Sequence, residues 1–203
     1  MSNKIDAQEA IVWIDIETTG LDYKKEALLE IAVLITNNEL EVIDSYSNII
    51  KTPKRKLRRM DDYVRKMHTD SELLADLKHF GGKPIAEVES EILEMLDRHG
   101  LEKRLLLAGN SVGFDRRMLE TRMPKLMARF GYQNLDVTSI GKLVQRWTPA
   151  VDSHIRRLKE NDPNPFPHRA WYDILDSVEQ LKSYRKLVFT DESEQYLVTT
   201  KGV

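Results

Sequence analysis

The 203-residue sequence contains no cysteine. That excludes a disulfide framework, a thiolate zinc site and a cysteine nucleophile. No apolar run approaches the roughly 20 residues that a membrane span requires. The N-terminal stretch MSNKIDAQEA is polar and lacks an apolar segment of signal-peptide length. Charge of one sign is not in excess either: 31 basic and 33 acidic residues leave a formal net charge of −2. This balance argues against a protein that grips nucleic acid mainly through bulk positive charge, although a local basic patch remains open. Internal repeats, low-complexity tracts and linkers are also missing. What is present is ordinary globular material, 41% hydrophobic and 32% charged. At about 100–200 residues per domain, the length predicts one domain with a real core. The expectation is a soluble, cytoplasmic protein with no membrane partner, organised as a polar segment 1–9, a domain 10–189 and a tail 190–203.

Residues 11–16 (IVWIDI) are apolar and β-branched, interrupted only by Asp15. Such a run reads as a strand buried on both faces. Strands are also predicted at about 28–36 and 41–50, joined by a hairpin turn at Asn37-Asn38, so the chain starts as an antiparallel meander. Helical signals follow at 61–68 and 71–79, with Ser71 as N-cap, and at 84–99, framed by Pro84 and Gly100. A short strand at 105–108 turns through Gly109-Asn110-Ser111 into a helix that Pro124 interrupts. Residues 134–137 predict a strand, 139–147 a helix, 148–167 a long loop with at most one helical turn, and 169–187 the final helix. This order suggests an α/β protein, a mixed sheet flanked by helices.

Three local patterns carry chemistry. Asp15 and Glu17 are two apart, so on a strand both side chains share a face. Two carboxylates on an apolar strand repel each other and are costly to desolvate, and a hard divalent cation relieves both costs. The alternative is that both acids are solvated turn residues. Asp115 stands in the first turn of the helix after Gly109-Asn110-Ser111, where ligands commonly bind in α/β sheets, or where an acid simply favours the helix N-terminus. His168 and Asp173 are five residues apart, an offset of about 140° on one helix. They converge only if His168 sits in the loop before the helix, which Pro165 and Pro167 favour; otherwise they are a surface histidine and a helix-face aspartate. Asp176, three residues beyond Asp173, competes for the same role.

Taken together, Asp15-Ile16-Glu17-Thr18-Thr19-Gly20, then Gly109-Asn110-Ser111 leading to Asp115-Arg116-Arg117, then Leu135-Asp136-Val137-Thr138, then His168 and Asp173 resemble the oligoribonucleases. These belong to the DEDDh 3′–5′ exonucleases of the RNase H-like fold. The resemblance spans roughly residues 10–189. It implies an RNase H-like mixed sheet, three antiparallel strands followed by short parallel ones. It also implies two divalent cations, Mg²⁺ or Mn²⁺, held by Asp15, Glu17, Asp115 and Asp173, with His168 as general base. Short single-stranded RNA would be cut to nucleoside 5′-monophosphates. Leu21 would wedge against the terminal base, beside Thr18, and Tyr63 would stack on a base. His68 and Ser111 would lie near the substrate backbone, and Thr138 would help cap its 5′ phosphate. Tyr132 implies a homodimer, acting in the partner's site. Gln133 stands where bacterial members usually carry Arg, which replaces a charge-assisted fork by a neutral amide.

Two other readings stay open. One is a DNA or mixed single-strand 3′–5′ exonuclease of proofreading type, whose spelling of the first motif matches well. The other is a non-catalytic nucleic-acid-binding module on the same fold. The basic run at 51–59 reads either as a phosphate-attracting rim or as a solvated loop protecting a sheet edge.

Overall fold

The computed structural model describes residues 5–161 and 166–189. Its core is a five-stranded mixed sheet in the order β3-β2-β1-β4-β5. Strands β1 (Ile11–Thr18), β2 (Leu28–Thr36) and β3 (Val42–Ile49) form the expected antiparallel meander. Strands β4 (Leu105–Gly109) and β5 (Phe130–Asp136) continue the sheet in parallel on the other side of β1.

Strand β1 is central and its two faces do different work. Val12, Ile14 and Ile16 point into a core built with α4 (Ile85–Arg98), α5 (Gly113–Arg122) and α6 (Pro124–Met127). Ile11 and Trp13 point to the opposite core, built with α7 (Val137–Trp147), α8 (Pro149–Asn161) and α9 (Ala170–Leu187). Asp15 and Glu17 continue this second row. Trp13 is fully buried and donates its indole N–H to Thr36 Oγ1 at 3.0 Å. The register is therefore pinned from both sides, because a slip of one residue would drive both acids into the Ile92 and Met118 core. A third apolar cluster (Leu29, Met60, Val64, Leu73, Leu77) seats α2 (Asp62–Asp70) and α3 (Leu73–Phe80) beside the end of β2. The basic run contains α1 (Lys54–Leu57), a single turn beyond the edge strand β3.

Several boundaries differ from the sequence reading. The largest correction concerns residues 148–167, where α8 occupies thirteen residues in place of the expected loop. Its inward-facing apolar residues are few: Ile155 is buried and Val151 partly so. Charge pairs support the rest, with Arg156 on Asp152 at 2.8 Å and Lys159 on Asp176 at 2.6 Å. Residues 162–165 of that segment and the predicted tail 190–203 lie outside the described residues. Ser71 closes α2 and does not cap α3; Glu72, in a left-handed conformation, precedes α3. Strand β5 begins earlier than expected and α7 starts at Val137, capped by Asp136 accepting from the Thr138 N–H at 3.0 Å. Part of the polar N-terminal segment is structural, since Ile5 and Ala7 pack on the first core.

The approach of β4 to β1 is close at the end that carries the acids. A Cβ on Gly109 would lie 2.9 Å from the Ile14 carbonyl oxygen. Gly109→Ala is therefore expected to destabilise the fold by about 1–3 kcal/mol, the usual cost of overpacking. Urea denaturation measures this, and an unchanged midpoint would contradict the close approach.

Candidate active site

The acidic end of the second β1 face meets two helix starts. Asp15 and Glu17 come from β1, Asp115 from the first turn of α5, and Asp173 from the first turn of α9. His168 stands in the loop immediately before α9 with a backbone φ of 63°. Its backbone N–H donates to Asp173 Oδ2 at 3.1 Å. The loop placement resolves the five-residue offset: Glu17, His168 and Asp173 each offer a ligand atom, and these atoms lie within 4.8 Å of one another. The rival Asp176 is engaged elsewhere, paired with Lys159 at 2.6 Å.

The electrostatics of this cluster follow from burial and like charge. Burial pushes the Asp15 carboxyl well above its ordinary range, and Asp115, Glu17, Asp173 and Glu30 push it further. Burial, with Asp173, Glu30 and Asp115, raises Glu17 to about 8, against an opposing pull from Arg169. Asp115 rises to about 7, chiefly by burial and partly offset by backbone hydrogen bonds at Asp115 and Ile16. Four carboxylates held together at such cost, with one imidazole and no thiolate, form an oxygen-rich donor set that suits hard divalent cations.

The expected substrate-binding residues divide into three groups. Leu21 and Tyr63 are exposed, at 82% and 76%. The turn carrying Leu21 is fixed from both sides. Arg122 donates to the Lys24 carbonyl at 3.1 Å and to the Glu26 carbonyl at 2.5 Å, and Lys56 donates to the Lys25 carbonyl. Thr18 is buried and spends its hydroxyl on the Gly20 carbonyl at 2.8 Å. On the other side of β1, Ser111 and Thr138 are brought together. The Ser111 N–H donates to Thr138 Oγ1 and to Asp136 Oδ1, each at 3.0 Å. Tyr132 and Gln133 do not join the cluster of their own chain. Tyr132 is 90% exposed, and Gln133 lines a cleft of about 620 Å³ with Ala10, Gly100 and Arg104, toward the start of β1.

His68 departs from expectation: it is fully buried and does not face open substrate space. Its Nε2–H donates to the Thr18 carbonyl at 2.8 Å, leaving Nδ1 3.8 Å from Glu17 Oε2. Burial lowers its pKa. Sequence reasoning also passed over Glu30, which pairs directly with Glu17 across β1 and β2. The available signal was one acid inside the apolar run of β2, the same signal that singled out Asp15. In the basic run, Lys51, Lys54, Arg55, Arg58 and Arg59 are exposed and make no salt bridge among the described residues.

Carboxyls with raised pKa values hold protons more tightly when folded than when unfolded. Their contribution therefore falls as pH rises toward those values. His68, with a lowered pKa, acts the other way below 6.5. The metal-free protein is thus expected to lose thermal stability between about pH 6.5 and about pH 8, and Mn²⁺ to restore it. Thermal melts with chelator and with Mn²⁺ test this; a melting temperature independent of pH and metal would contradict it.

Comparison with known proteins gives the same assignment. The RNase T family of exonucleases matches residues 12–181. The oligoribonuclease of Leifsonia xyli subsp. xyli is 42% identical over 92% of this chain and 87% of its own. That of Streptomyces coelicolor is 38% identical over 91% and 89%. A probable oligoribonuclease of Caenorhabditis elegans is 35% identical over 90% of each. Among solved structures, E. coli exonuclease I in a complex with single-stranded DNA superposes with a TM-score of 0.70 at 15% identity. The match covers 95% of this chain and 43% of that one, so the present chain spans about two fifths of exonuclease I, and the likeness is one of fold. With its fold, its cluster of acids and its relatives in agreement, the chain belongs to the oligoribonuclease family of exonucleases.

Proposed function

We propose that this chain is a 3′–5′ exoribonuclease that degrades short RNA to nucleoside 5′-monophosphates. The observation that carries the reading is the convergence of Asp15, Glu17, Asp115, His168 and Asp173 at one end of the sheet, in a chain of this family. Asp15, Glu17, Asp115 and Asp173 would hold two divalent cations, Mg²⁺ or Mn²⁺. When bound, such a pair stabilises charge on the attacking and leaving oxygens of an in-line displacement at phosphorus.

His168 accepts the proton of the attacking water, a role suited to the side chain that ordinarily titrates nearest neutral pH. Asp173 fixes His168 through its backbone N–H. The new bond is water oxygen to phosphorus and the broken bond is phosphorus to the 3′ oxygen, which stays with the shortened strand. Leu21 and Tyr63 present apolar surface on one side of the acids, and Tyr63 stacks on a base. Ser111 and Thr138 present hydroxyls on the other, for the 5′ phosphate. A site bounded on both sides suits a short strand.

The same reading includes a homodimer. Helix α7 exposes Leu143 at 44% and Trp147 at 74%, one turn apart, and the strand leading into it exposes Tyr132. An apolar surface of this kind suits a self-complementary two-fold contact. It would deliver Tyr132, with the Gln133 amide beside it, to the partner's site. No helix among the described residues is long and apolar enough to cross a membrane. The proposed setting is the cytoplasm.

His168→Ala and Asp15→Asn are each expected to lower turnover of a two-nucleotide RNA at least about 10²-fold while remaining folded. Near-normal turnover with Mn²⁺ supplied would remove the assigned role. Digestion of a two-nucleotide RNA beside a much longer RNA and a DNA strand tests the substrate class. The short RNA is expected to be cut fastest, and preference for long DNA would favour a proofreading-type enzyme. Mixing inactive Tyr132→Ala with inactive His168→Ala protein is expected to restore up to about a quarter of the activity, because each mixed dimer has one complete site. No recovery on subunit exchange would contradict action in trans.

A further inference from the structure

Glu30 stands directly opposite Glu17 in the antiparallel β1–β2 ladder, and residues paired in this way point to the same face. It is therefore a fifth carboxylate at the acidic end of the sheet, with no part in the chemistry above. It is almost wholly buried, and both of its oxygens are occupied. Arg169 Nε lies 3.2 Å from each oxygen, and a terminal guanidinium nitrogen donates to Oε1 at 3.0 Å. The Ala170 backbone N–H donates to Oε2 at 2.9 Å. Arg169 also pairs with Asp76 of α3 at 2.9 Å and donates to the Ser71 carbonyl at 3.3 Å.

Arg169 and Ala170 are the two residues that follow His168. The left-handed backbone of His168 is one that a non-glycine residue keeps only where its surroundings impose it. On the N-terminal side stands Pro167, with its fixed φ. On the C-terminal side the chain is clamped to β2 through Glu30. We infer that Arg169 and Glu30 are positioning residues for the general base. Their ion pair ties the entrance of α9 to β2 and sets the His168 imidazole beside Glu17 and Asp173. The pairing also occupies Glu30, so that its carboxylate does not join the four assigned to the cations. This inference rests on the reading of His168 as the proton acceptor.

The test uses the full chain and two variants. Arg169→Met combined with Glu30→Gln removes both charges together, which a fold usually tolerates better than leaving one buried charge unpaired. Arg169→Lys keeps the charge but loses the planar fork. With a two-nucleotide RNA, the double variant is expected to lose kcat by roughly 10–100-fold, the usual cost of removing a partner that orients a reacting group, with KM changed by less than about twofold. Arg169→Lys is expected to fall between it and the parent. Amide hydrogen exchange at residues 168–173 of the metal-free protein is expected to be faster in the double variant. A folded double variant with the parent's kcat and the parent's exchange would overturn the inference. So would a rise in KM at constant kcat. If the parent itself released no mononucleotide, the nuclease reading would fail instead, and the exchange measurement would still decide whether the pair anchors this loop.

Discussion

The structure depends on one strand having two chemically different faces. Along β1, one row of side chains is apolar from Val12 through Ile16 and sinks into the larger core. The other begins with Ile11 and Trp13 and ends with Asp15 and Glu17. The apolar beginning fixes the register and the packing of α9. The acidic end then falls where α5 and α9 start, so Asp115 and Asp173 arrive at the same place from two other elements. Folding of the apolar residues thus assembles the acids, without any attraction among the acids themselves.

The cost of that assembly is visible in the carboxyl groups, which burial and mutual repulsion hold above their ordinary titration range. Arg169 relieves part of the repulsion at Glu17 and engages Glu30 directly. Asp15 and Asp115 form no salt bridge among the described residues, and a pair of divalent ions would supply what the side chains lack. The near-zero net charge of the whole chain is compatible with this. A site in which metal ions meet the phosphate needs few lysines and arginines for a short strand.

Much of this was legible in the sequence. The unbroken apolar, β-branched character of residues 11–14 specifies a doubly buried strand, and Asp15 and Glu17 at its end stand out against that background. The prolines before His168 predict the break that lets it face Asp173. The rest depended on tertiary contact. Helix α8 shows little periodicity, because it buries mainly Ile155 and rests on ion pairs with Asp176 and within itself. Family resemblance placed His68 near the substrate, whereas its position under Glu17 is set by the packing of α2. Glu30 resembled an ordinary interruption of an apolar run until its cross-strand neighbour and Arg169 were seen together.

If the chain is a nuclease of this kind, these carboxylates bind two divalent cations. Calorimetric titration of metal-free protein with Mn²⁺, in the presence of a two-nucleotide RNA and in a His168→Ala background that prevents turnover, addresses it directly. Binding of about two ions per chain is expected, sharply weakened by Asp15→Asn. Absence of binding, or binding unaffected by Asp15→Asn, would contradict it.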